Sequence, residues 1–311
     1  MFKRVMVCGL ALCLVFALGG CSISFGGTSI GLGATRGSGN VVEQTTAIDA
    51  DEAGFSLEIR DISLQGNFNF SPSIVIDETL GDEIVLTTDD NIAELIRVDQ
   101  RGSSIVVSGG RFRPSELIIA TGLPITELSV GGSWSISHSC TRVTEFSAQI
   151  RGSVRGGFAF GALDRLSLQL SGSGRLSMEG AAEHARLTLS GSGDLNAFGL
   201  QAETADITIS GSGRADITVA EQVNATVSGS GRLGLQGTAE HARLLLSGSG
   251  NINAFELEAE TADVTVSGSG RADITVTEQL NATVSGSGRI VYDGNPRVSQ
   301  TVRGSGRVQA R

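Results

Sequence analysis

The sequence predicts an all-β chain wound as a parallel β-helix, a solenoid with about three short strands in each 18–20-residue rung. Three observations predict it. The tetrapeptide Ser-Gly-Ser-Gly starts at Ser171, Ser190, Ser210, Ser228, Ser247, Ser267 and Ser285. Between these sites apolar and polar residues alternate, and the alternation slips by one residue twice per rung. The spacings run 19, 20, 18 and again 19, 20, 18, so a 57-residue unit is written twice. Segment 210–232, SGSGRADITVAEQVNATVSGSGR, nearly repeats as SGSGRADITVTEQLNATVSGSGR at 267–289. A fixed period of this size marks a solenoid, in which a single rung cannot bury both sides and depends on its neighbours.

The first element precedes the fold. Lys3 and Arg4 form a charged start, and Val5 to Leu18 is apolar but short for a membrane span. Leu18-Gly19-Gly20-Cys21 then resembles the lipobox of exported bacterial lipoproteins. The resemblance implies a signal peptide over 1–20, cleavage before Cys21, and lipidation of Cys21. Several acyl chains on one residue would anchor the protein firmly, since each buried CH₂ contributes roughly 0.8 kcal/mol. Ser22 follows the cysteine, which by resemblance to Gram-negative lipoproteins implies the outer membrane, on its periplasmic or surface face. Residues 21–35 are Gly/Ser-rich without periodicity and are expected to be a flexible tether.

Residues 36–311 are expected to be one domain, less regular to about residue 130. The rung at 247–266, SGSGNINAFELEAETADVTV, explains the pattern after that. Ile252 and Ala254 face one way, Asn251 and Asn253 the other. A slip follows at Ala254-Phe255, and Phe255, Leu257 and Ala259 then alternate with Glu256 and Glu258. A second slip comes at Glu260-Thr261, before Ala262, Val264 and Val266. Side chains alternate with period two, so a slip would turn the strand inside out unless the chain turned a corner there. Ser-Gly-Ser-Gly is the third corner, where glycine takes φ > 0 and close approach without a Cβ penalty. Degenerate corners extend the series, at Gly131-Gly132-Ser133 and Arg151-Gly152-Ser153 before it and at Arg303-Gly304-Ser305-Gly306 after it.

Composition narrows the function classes. Without Lys3 and Arg4 the chain carries 21 basic against 33 acidic residues. That surface repels nucleic acid, whose binding rests on neutralising phosphates. Beyond Cys21 the only cysteine is Cys140, so no disulfide can form within the folded part. Ser-Gly-Ser-Gly is not a phosphate loop: a period-two strand follows it rather than a helix, and no lysine occurs after Lys3.

Three stretches resemble the putative auto-transporter adhesin family with a head GIN domain: Gly37-Ser38-Gly39-Asn40-Val41-Val42; Asp89-Asp90-Asn91-Ile92-Ala93-Glu94-Leu95-Ile96 with Ser104-Ile105-Val106-Val107; and the ladder closing in Val291-Tyr292-Asp293-Gly294-Asn295-Pro296. The resemblance implies a right-handed parallel β-helix, a short helical piece near residue 90, and a surface or periplasmic lipoprotein. It supplies no catalytic residues.

Candidate chemistry is thin. His184 and His241 stand in matched Ala-Glu-His-Ala-Arg segments three rungs apart, roughly 14 Å, too far to share a metal, and read as solvated loop residues. Asp194 and Asn251 follow corners without the calcium pattern of β-rolls. Trp134, Ile136, His138 and Cys140 share one strand face; Cys with His suggests a nucleophile and base, but no orienting acid accompanies them. Asn224 and Asn281 fit a glycosylation sequon and read as polar strand residues. Arg175, Arg214, Arg232, Arg271, Arg289 and Arg307 follow corners and are expected to form an outward ladder, with Asp216 and Asp273 nearby, as a solvated and mutually paired set. Neither a cofactor nor a metal is called for. The expectation is a non-enzymatic cell-envelope lipoprotein. Its partners are the membrane, through the lipid, and envelope or extracellular glycans or proteins, not nucleic acid. The competing expectation is a β-helix enzyme that cleaves acidic polysaccharides with such an Arg/Asp set.

Overall fold

The computed structural model describes residues 34–49, 53–65 and 70–311. The expected signal peptide, Cys21 and most of the expected tether lie outside the described residues. Parallel strands stack into a β-solenoid of about nine turns, as the period requires. Rungs after residue 174 repeat closely. Arg175–Gly191, Asp194–Gly211, Arg214–Gly229, Arg232–Gly248, Asn251–Gly268 and Arg271–Gly286 each pair in parallel with the next. Hydrogen bonding continues through the corners, so each rung reads as one strand whose register shifts where it bends. At those bends threonine hydroxyls reach the carbonyls of the preceding rung. Thr218 Oγ1 donates to the Phe198 carbonyl at 2.9 Å, and Thr275 Oγ1 to the Phe255 carbonyl at 2.9 Å.

The Ser-Gly-Ser-Gly sites stack one above another. Ser171, Ser190, Ser210, Ser228, Ser247, Ser267 and Ser285 are in register, and the first glycines follow suit. At Gly211 φ is +120°, and a Cβ there would stand 2.6 Å from the Gly191 carbonyl oxygen. Only glycine meets both demands. The second glycine has a different reason. A Cβ on Gly231 would point into the interior, 2.7 Å from Ile209 Cγ2. The degenerate corners at Gly132, Gly152 and Gly304 share the positive φ and join the column.

One detail of the rung differs from the sequence reading. Phe255 is not inside: Ala254 and Leu257 are buried, while Phe255 and Glu256 both face outward. A convex bend accommodates its extra residue by turning two neighbours out, since the narrow interior has no room for two successive side chains. The second slip behaves the same way at Glu260 and Thr261. Leu, Ile, Val and Ala fill the interior of the regular rungs, each large one contributing roughly 1.5–3 kcal/mol on burial.

The first third is built differently. Val41–Ala47 and Leu117–Thr121 both pair antiparallel with Glu83–Asp89, and Arg97–Arg101 pairs antiparallel with Ser104–Ser108. A helix of one turn, Asp90–Ala93, buries Ile92 and Ala93. The motifs that resembled the family opening and its helical piece meet here. Asp89 is fully buried and accepts hydrogen bonds from Gly39 N at 2.7 Å, Ser115 N at 2.6 Å and Ser115 Oγ at 2.6 Å. Beside it Asp90 accepts from Ser38 Oγ and Asn40 Nδ2, and these bonds hold its carboxyl below the usual range.

Candidate functional site

The corner column positions the outward chemistry. Each second corner glycine turns inward, so the residue after it turns out, one per rung. The column runs in register from Arg155 through Arg175, Asp194, Arg214, Arg232, Asn251, Arg271 and Arg289 to Arg307. Nine rungs thus carry seven arginines in single file. The serine two residues before each position is exposed, from Ser153 and Ser173 through to Ser305. A row of hydroxyls therefore flanks the row of guanidinium groups.

Pairing within this ladder is partial, unlike the mutually paired set expected. Arg214 Nε donates to Asp216 at 2.9 Å and Arg271 Nε to Asp273 at 2.7 Å. Both aspartates are buried at the base of the column, 8% and 6% exposed, so each fixes the arginine above it. Arg175 reaches Asp194 at 3.4 Å between two exposed side chains. Among the described residues, Arg155, Arg232, Arg289 and Arg307 have no carboxylate within ion-pair distance. A cleft of about 740 Å³ lies along this edge, lined by Arg175, Arg214, Arg232, Asp194, Asp216 and Phe198, among others. Phe198, at 38% exposed, forms an apolar rim. Its counterpart Phe255 is covered by the Arg311 guanidinium, 4.7 Å from the ring centre.

A second column was missed in the sequence. Asp164, Glu183, Glu203, Glu221, Glu240, Glu260 and Glu278 sit at the second bend of successive rungs, all exposed. The signal was present as Ala-Glu or Thr-Glu before His, Thr or Gln in six rungs. Like charges at this spacing repel, and the arrangement holds because the carboxylates stay in water.

The two matched histidines are not in loops. They lie on strands at this bend, His184 Nδ1 at 2.6 Å from Thr204 Oγ1 and His241 Nδ1 at 2.9 Å from Thr261 Oγ1. Strand pairing resumes at each histidine after the bend, so neither lies in a loop. Asn224 and Asn281 are strand residues that donate to Asp206 and Asp263 of the rung below. Trp134, Ile136, His138 and Cys140 share one face, and it is the inner one. The His138 ring lies among Phe146, Phe160 and Phe158, with centroids at 4.8, 4.9 and 5.7 Å. Neither ring nitrogen has a hydrogen-bond partner, and burial lowers its pKa to about 4. A neutral imidazole wedged in an aromatic core has no access to substrate, so the Cys/His pair is interior packing. Among the described residues no group of three or more His, Cys, Asp or Glu is placed to hold a metal ion, and no helix is long and apolar enough to cross a membrane.

The family model for the putative auto-transporter adhesin, head GIN domain, matches residues 62–234 and 221–296. The chain belongs to the head GIN domain family. The two matched stretches overlap within the duplicated region, as an inserted copy of the 57-residue unit would produce. No curated protein matches the sequence. Solved structures similar to this head GIN chain include a putative lipid binding protein from Parabacteroides distasonis, with TM-score 0.47 and 18% identity over 90% of this chain and 100% of that one. A putative adhesin from Parabacteroides merdae has TM-score 0.40 and 16% identity over 89% and 99%. Another from Bacteroides fragilis has TM-score 0.37 and 16% identity over 89% and 100%.

Proposed function

We propose that this head GIN chain is an exported, lipid-anchored protein of the cell envelope that binds material along one side of its solenoid without chemical turnover. The observation that carries this reading is the columnar surface: the same outward residue types recur at one level per rung, in register, over most of the domain. Such a face suits repeated weak polar contacts with an extended partner better than a deep pocket suits one small molecule. The Leu18-Gly19-Gly20-Cys21 motif after a charged and apolar leader supports lipidation of Cys21, and Ser22 supports the outer membrane. Family membership supports an adhesin-like role. Cys21→Ser is expected to move the protein out of the membrane fraction or leave its leader uncleaved. An unmodified mature N-terminus by mass spectrometry would remove the anchor.

One observation favours a second reading, that of an enzyme acting on acidic glycans. Asp216 is buried beside Arg214 inside the cleft, as a catalytic carboxylate could be. A glycan-array screen run beside a turnover assay on the same purified protein separates the two. Binding without product supports the binding reading, and product above background overturns it.

A further inference from the structure

We propose that the arginine column is a binding track for a linear acidic polysaccharide, laid parallel to the solenoid axis with its anionic groups on successive arginines. The inference rests on the binding reading above and names its ligand and its face.

Four features of the column point to this class. The first is charge in the wrong place for an acidic protein. The chain carries a net charge of −10, yet this edge sets seven arginines against Asp194, Asp216 and Asp273. The excess is greatest toward the C-terminal end, where Arg271, Arg289 and Arg307 occupy three consecutive rungs and only Asp273 answers them. The second is availability. Arg232, Arg289 and Arg307 are exposed and have no carboxylate within ion-pair distance among the described residues, so their planar donors are free for an incoming carboxylate or sulfate. The third is order. Asp216 and Asp273, nearly buried two residues on in the same strand, each hold their arginine in one orientation, which lowers the entropy lost when a ligand binds. The fourth is the neighbouring chemistry. Exposed serine hydroxyls run beside the arginines along the whole column, and Phe198 offers one apolar face at the cleft rim. Hydroxyl donors and an aromatic rim suit sugar hydroxyls and ring faces.

Geometry favours a polysaccharide over other anions. The column is one residue wide and roughly 38 Å long at about 4.8 Å per rung. An extended pyranose chain advances by a comparable step per sugar, so one charge per sugar or per disaccharide finds an arginine at one or two rungs. Duplex DNA presents a charge about every 1.7 Å from two strands, far denser than single-file arginines can answer. The glutamate column on another bend would repel any polyanion that wrapped around the molecule, which confines the ligand to this edge.

The test uses the purified full-length chain in detergent, with polygalacturonate and chondroitin sulfate as probes and dextran as the neutral control. The expected result is salt-sensitive binding to both acidic polymers and none to dextran. The triple variant Arg232→Gln, Arg289→Gln, Arg307→Gln should weaken binding by about tenfold or more, the scale expected for losing three charge-assisted contacts. The variant Arg101→Gln, Arg113→Gln, Arg243→Gln makes the same charge change on other faces and should bind as the unmodified protein does. Circular dichroism of both variants reports whether the fold is kept, and the paired single variants Arg289→Gln and Arg307→Gln preserve the test if the triple variant misfolds. Equal weakening by both triple variants would overturn the track, because it would show a diffuse charge effect. So would equal binding of polyglutamate or single-stranded DNA, which would reduce the edge to an anion exchanger. Concentration-dependent self-association of the protein alone, lost in the first triple variant, would assign the column to a second copy and overturn the glycan. Binding of neutral glycans with no binding of acidic ones would overturn this inference and leave the binding function standing, whereas turnover of polygalacturonate would overturn the function itself.

Discussion

The first third of the domain and the ladder that follows it reach order by opposite means. The first third depends on single side chains with long sequence reach. Asp89 alone ties Gly39 and Ser115 to its own strand. The ladder depends on identity repeated: every rung has the same glycine corner, the same small apolar interior and the same pairing to its neighbours. One design concentrates stability in few contacts, and the other spreads it along one dimension, where each rung answers mainly to those beside it. Substitutions in the two regions should therefore differ in reach as well as in size.

The largest effect is expected at the centre of the irregular region. Asp89→Ala removes three hydrogen bonds and leaves their donors without a partner, for a loss of about 4 kcal/mol or more in urea denaturation. Hydrogen exchange should show strands 41–47 and 83–89 losing protection while 175–286 keep theirs. Loss of protection throughout would show that the two regions fold as one cooperative unit and would break the comparison.

Gly211→Ala is expected to cost about 3–4 kcal/mol, from a side chain at a positive φ and its clash with the Gly191 carbonyl. The exchange changes should stay within the rungs on either side. Ser212→Ala at the same corner should be nearly neutral, because that serine is exposed.

Between the two regions sits His138, and it should make stability depend on acid. Its folded pKa is about 4, against roughly 6.5 when unfolded, so the fold holds it neutral. The unfolded chain takes up the proton first as pH falls. Stability is therefore fully present above about pH 6.5, declines as pH drops toward 4, and changes no further below that from this group. The decline amounts to about 3 kcal/mol. His138→Phe should flatten the profile in that window. An unchanged acid slope would mean that other groups govern it.

Arg214→Gln is expected to cost about 1 kcal/mol, because it leaves the nearly buried Asp216 carboxylate without its cation while the arginine itself is largely exposed. Arg271→Gln should cost a similar amount in the second copy, and the two should add, since they lie three rungs apart and share no partner. Strong coupling between them would show that the ladder transmits strain further than its neighbours.

The smallest disturbance is expected from the largest edit. Deleting 228–284 joins Val227 to Ser285 and recreates Val-Ser-Gly-Ser-Gly at the junction. The shortened chain should keep a single folded transition, with a denaturant slope reduced in proportion to the surface removed. Failure to fold would show that the duplicated unit is not self-contained.

The sequence by itself determined the solenoid, because a period of 18–20 residues and two slips per rung cannot be satisfied by side chains of period two without corners. It determined which residues the corners require, because glycine alone takes both the positive φ and the close approach. It placed Trp134, Ile136, His138 and Cys140 on one face; the short helix near residue 90 came from the family resemblance rather than from periodicity. Tertiary structure decided the rest. Whether Phe255 lay inside or outside depended on the curvature of the bend, which alternation cannot express, since a slip is satisfied equally by two inward or two outward neighbours. Whether Arg232 was paired depended on its neighbours in register, Arg214 and Asn251 in adjacent rungs, and on Asp216 across from Gly234 being already held by Arg214. The glutamate motif was legible in six rungs, but that its carboxylates form one exposed column was decided by the hydrogen-bonded alignment of rungs of unequal length. In a solenoid many of the neighbours that set exposure lie one rung away, and the offset to them is fixed by where each corner absorbs its extra residue.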